Sequence, residues 1–71
     1  MIRREQLARF GQVNALLVLL IARNVTSEVA RRMNAEVWAI AATVAGVERP
    51  GEEDIALVIA DLEQVEKRRA A

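Results

Sequence analysis

Seventy-one residues allow one small domain, and ten basic against ten acidic side chains leave it without net charge. The absence of Cys and His excludes zinc fingers, disulfide scaffolds, thiolate nucleophiles and imidazole bases. The only hydroxyls are Thr26, Ser27 and Thr43, with no imidazole to activate them, so neither an enzyme nor a cofactor or metal site is expected. Yet 54% of the residues are apolar, whereas a chain this short buries only about 60% of its unfolded surface. Self-association is the first expectation.

The longest uncharged run, residues 10–22, is shorter than the roughly 20 apolar residues that a membrane span needs. No basic stretch followed by an apolar region and a small-residue cleavage site marks secretion, so a cytoplasmic protein is expected. Arginine outnumbers lysine nine to one beside thirteen alanines and nine valines, a composition that suggests a GC-rich bacterial or phage gene.

Gly11, Gly46, Pro50 and Gly51 punctuate the chain and predict three helices in a single domain over residues 1–71. The first, residues 2–10, carries Leu7 and Phe10 at helical spacing and meets Gly11 as a C-cap. Asn14 can cap the second. From there the stripe Val18, Ala22, Val25, Val29, Met33, Val37, Ile40, Val44 advances by three or four residues without a slip. This predicts one helix over residues 14–45. Residues 24–27 are weak helix formers, and a new helix capped at Thr26 is the alternative. The third helix, residues 52–69, opens after Pro50 and Gly51 with Glu52, Glu53 and Asp54 at its positive end. Ile55, Val58, Ile59, Leu62 and Val65 form its buried stripe, and Lys67, Arg68 and Arg69 complement its negative end. The macrodipole accounts for the three carboxylates better than a metal does.

A short helix, a long central helix and a third helix within this length resemble the histone fold. LARFG (residues 7–11) is similar to the end of that family's first helix, and VN (13–14) to its first loop. AGVERPGEEDIALVI (45–59) is similar to its second loop and third helix, although of the family's basic-polar loop pair only Arg49 is present. The resemblance implies an all-α, intertwined homodimer. It also implies DNA contacts by Arg3, Arg4, Arg9 and Arg49. A lesser resemblance links TSEVARRMNAEVWAIAA (26–42) and EEDIA (52–56) to the helical lid of AAA+ ATPases. LLVLLIAR (16–23) is similar to the first helix of helical chorismate mutases, but the other charged residues that family needs have no counterpart. A helix-turn-helix laid on residues 26–44 would read DNA with residues 36–44, which lack Arg, Asn, Gln and Lys.

Leu16, Leu17, Leu20 and Ile21 belong to a segment apolar on all sides, predicted to lie at the centre of an oligomer. Val29, Met33, Val37 and Ile40 extend that interface, and Trp38 beside them is expected to pack within it. Charge is uneven, with a net +3 over residues 1–47 and −3 over residues 48–71. The basic part could hold phosphate in a sequence-independent, nucleoid-architectural manner, while zero net charge weakens long-range attraction to DNA. The expected function is therefore non-enzymatic oligomerisation or protein interaction, with the chain itself as first partner and DNA as the alternative.

Overall fold

The computed structural model describes residues 1–70 and is all-helical, with no strand among them. Four helices follow in order: α1 (Arg4–Ala22), α2 (Ser27–Arg32), α3 (Ala35–Ala45) and α4 (Glu52–Ala70). α1 packs against α4 and α3, and α2 packs against α4.

The first predicted boundary is not used. α1 runs through both Gly11 and Asn14. Gly11 keeps a negative φ, and its cost of about 1 kcal/mol relative to Ala is offset by Val13, Leu16 and Leu20 further along the helix, all buried. α1 ends in a Schellman turn: Asn24 adopts φ +59°, its N–H donates to the Ile21 carbonyl and the Val25 N–H to that of Leu20 (3.1 and 2.9 Å).

The expected central helix over residues 14–45 is also divided, which corrects the three-helix reading. Thr26 is an extended N-cap whose Oγ1 accepts the Val29 N–H at 3.2 Å. After only six helical residues Met33 turns extended (φ −69°, ψ 129°). Asn34 then caps α3, its Oδ1 accepting the Val37 N–H at 3.0 Å. Each side-chain cap satisfies one of the donors that an unbroken helix would have bonded to its own backbone. Gly46 closes α3 at φ +74°, where only glycine is free of strain, and the Val47 N–H reaches back to the Ala42 carbonyl at 2.9 Å. Pro50 is buried, and α4 begins two residues later.

The core unites Val13, Leu16 and Leu20 of α1, Ala30 of α2, Trp38 and Ala42 of α3, and Val58 and Leu62 of α4. Ile55 and Ile59 flank it as the helical spacing of α4 predicts. Leu16, Leu20 and Trp38, expected at an oligomer interface, lie instead inside the single chain at 0%, 3% and 2% exposure. Breaking the central helix folds α2 and α3 back over α1 and α4. The chain thereby covers by itself side chains that a straight helix would have left exposed.

Candidate interaction surface

Between the C-terminal half of α1 and the α2–α3 arm lies an open apolar groove of about 320 Å3. Leu19, Leu20 and Arg23 form one wall; Val25, Val29 and Met33 follow the bend, and Val37, Ile40, Ala41 and Val44 of α3 form the other. Val29 (50%), Ile40 (63%) and Val44 (56%) keep half or more of their surface in water. Of the stripe that the sequence presents as one helix face, Val25, Val29, Met33, Val37, Ile40 and Val44 line this groove, while Val18 and Ala22 lie on α1 outside it. Of the predicted interface residues, Val29, Met33, Val37 and Ile40 line this groove, while Leu17 and Ile21 are partly buried against the core.

A second apolar cluster sits on the N-terminal arm. Residues 1–10 are all exposed, and Ile2 and Phe10 each reach 71%. Leu7 is exposed beside them, with Leu57 of α4 near Phe10 across a shallow depression. The sequence named Leu7 and Phe10 only as helix-pattern residues. Nothing in their spacing shows that α1 begins well before the core does.

The arginines serve the fold unequally. Arg9 donates Nε to Asp54 at 2.8 Å and pairs with Glu53 through the other side of its guanidinium. Hydrogen bonding to Asp54, then to Glu53, raises its pKa above the ordinary arginine value. Asp54 also accepts from the Gly51 N–H (3.3 Å) and from Gln12 Nε2 (3.4 Å), so the acidic start of α4 fastens α1 to the α3–α4 loop. Arg31 pairs with Glu63 at 2.5 Å and Arg32 with Glu28 at 3.0 Å. Arg3 and Arg4 are exposed on the arm, and Arg49 is exposed in the loop leading into Glu52, Glu53 and Asp54. Of the four arginines proposed for DNA, Arg9 already faces two carboxylates.

A polar latch that the sequence does not announce joins α2 to α4. The Glu66 carboxylate accepts both the Ser27 N–H (2.8 Å) and its hydroxyl (2.5 Å). These bonds, side chain first and backbone second, hold the Glu66 pKa below the usual carboxylate value, with nearby Arg31 adding to the effect. No cluster of metal-ligating side chains occurs among the described residues, and no described helix is long and apolar enough to cross a membrane. No family model, curated protein or solved structure matches the chain.

Proposed function

We propose that this chain is a non-enzymatic helical association module that forms a homodimer through the α1–α2–α3 groove. The carrying observation is area. The protomer exposes 5409 Å2, whereas a folded monomer of 7.9 kDa is expected to expose about 4,400 Å2. The surplus of about 1,000 Å2 compares with the roughly 800 Å2 that each partner contributes to a standard interface. Apolar side chains at the groove carry part of it, and covering them is favourable by about 25 cal/mol per Å2. Pairing is the part of the histone-fold resemblance that the groove supports; a continuous central helix is not.

DNA binding is the lesser reading. It rests on the exposed Arg3 and Arg4, whose contacts to phosphate would position without reading bases.

Light scattering and sedimentation at micromolar concentration test the proposal. The wild type is expected at twice the chain mass, and Val29→Glu/Ile40→Glu at the chain mass with unchanged helical circular dichroism, since both positions are exposed. A monomeric wild type, or a variant that still dimerises, overturns it. A gel shift run alongside is expected to show only weak binding that vanishes at moderate salt.

A further inference from the structure

Between Arg9 and Arg23 no side of α1 carries a charge. A helix surface of this kind is normally covered, yet the chain covers only the sides toward α3 and α4. Val13, Leu16 and Leu20 point into the core. Leu7, Gly11, Asn14 and Val18, spaced by four, three and four residues, share the opposite face, and all four are exposed. Leu7 and Val18 keep 61% and 56% of their surface in water. This face is separate from the groove, whose wall residues Leu19, Leu20 and Arg23 project from other sides of α1. We propose that a second copy of the chain covers it: the two α1 helices lie antiparallel across a two-fold axis, in a contact that is additional to groove pairing and does not depend on it.

Leu7 and Val18, the large apolar side chains of the face, set the register. The axis midway between them passes between Gln12 and Val13, at the centre of α1 (Arg4–Ala22), so the pairing uses nearly the whole helix, about 28 Å of it. Each Leu7 then meets Val18 of the other copy. The two Asn14 side chains come together on one side of the axis, where each amide can donate to and accept from the other. The two Gly11 positions meet on the other side. A Cβ there would touch nothing within 4 Å in its own chain, and without one the two backbones can approach closely.

Charge selects the antiparallel sense. Arg3 and Arg4 are exposed and form no ion pair among the described residues. α1 has no basic residue in its last turn, and Arg23 just beyond it lines the groove. Antiparallel helices bring Arg3 and Arg4 to the carbonyl end of the other α1, where cations are favourable; parallel helices would set the four arginines against one another. Area leaves room for the contact, because the surplus of about 1,000 Å2 exceeds the roughly 800 Å2 that one standard interface takes from each partner. A single helix face is narrower than a standard interface, so this pairing is the weaker of the two and forms at higher concentration.

Sedimentation from micromolar to submillimolar concentration tests the contact. The wild type is expected at twice the chain mass at the low end and above it at the high end. Leu7→Glu/Val18→Glu, at exposed positions, should keep the helical circular dichroism and stay at twice the chain mass throughout. Val29→Glu/Ile40→Glu, which removes groove pairing, is expected to pass from one chain mass to two over the same range. A wild type that never exceeds twice the chain mass, or a Leu7→Glu/Val18→Glu variant that does, overturns the α1 contact and leaves the groove dimer standing. A wild type that is monomeric at micromolar concentration and pairs only at the high end, in a manner abolished by Leu7→Glu/Val18→Glu, overturns the groove dimer and supports the α1 contact. Since the chain has no cysteine, single replacements read the register. With helix axes about 9 Å apart, the two positions 14 lie within disulfide reach, whereas the two positions 18 are about 16 Å apart along the helices. On oxidation Asn14→Cys is expected to give a disulfide-linked dimer and Val18→Cys is not. Absence of the first, or formation of the second as readily, overturns the antiparallel pairing.

Discussion

Replacing Asn34 by Ala decides, by the sign of its effect, whether the middle of the chain runs helical through residues 33–34 or breaks there. In an unbroken helix over residues 14–45, Asn34 would be an interior residue of poor propensity, and Ala would stabilise the protein by about 0.5 kcal/mol. In the structure Asn34 is extended (φ −82°, ψ 174°) and its Oδ1 accepts the Val37 N–H at 3.0 Å. Alanine removes that acceptor and leaves the donor to water. An N-cap substitution of this kind costs about 1 kcal/mol, within a range of roughly 0.5–2 kcal/mol. For a domain of this size the urea dependence is about 1 kcal/mol per molar, so the unfolding midpoint should fall by about 1 M. Urea titrations followed by circular dichroism, at one fixed protein concentration because association shifts apparent stability, supply the measurement. Thr26→Ala, removing the cap of α2, should act in the same direction. A midpoint that stays or rises for Asn34→Ala would refute the capped break.

Two further outcomes follow from the core and the latch. Trp38→Ala empties a site 2% exposed and should cost about 3–5 kcal/mol, most of the stability of a domain this small; native circular dichroism retained at 25 °C would contradict its place in the core. Glu66 has a lowered pKa in the fold, so its stabilising effect is complete above the ordinary carboxylate pKa and is lost as pH falls through the lowered one. Glu66→Gln should therefore melt below the wild type at pH 7, with the gap closing below about pH 4. A gap of constant size from pH 7 to pH 3 would show that the carboxylate charge contributes nothing at Ser27.

The sequence was most legible where local and tertiary signals agree. α4 follows from Pro50, the acidic first turn, the Ile55–Val58–Ile59–Leu62 spacing and the basic last turn, and it spans Glu52–Ala70. Gly11 misled because propensity is a weak term, easily outweighed by one buried turn of Val13 and Leu16. The central break was harder to see. Its two caps fall at intervals that leave the apolar phase intact, so Val25, Val29, Met33, Val37, Ile40 and Val44 read as one helix face although they bridge three segments. Val18 and Ala22, the first two residues of the same stripe, lie on α1 outside the groove, so the periodicity marks apolar positions without showing which segment carries them. The roles of Leu16, Leu20 and Trp38 were illegible for a related reason: apolar spacing shows that a residue is covered, not whether its own chain or a second copy covers it. The Ser27–Glu66 latch spans 39 positions and has no local signature.

Trp38 is the sole tryptophan of a chain without tyrosine. It sits in the core of the chain and does not line the groove. Its fluorescence therefore belongs to one event. In the proposed dimer, separation of the two copies would leave the indole in the same apolar surroundings and its emission blue, whereas loss of the chain's own fold admits water and shifts the emission red. Diluting the protein while recording mass and emission colour together distinguishes a chain that parts from its copy from one that unfolds on parting, with no label attached.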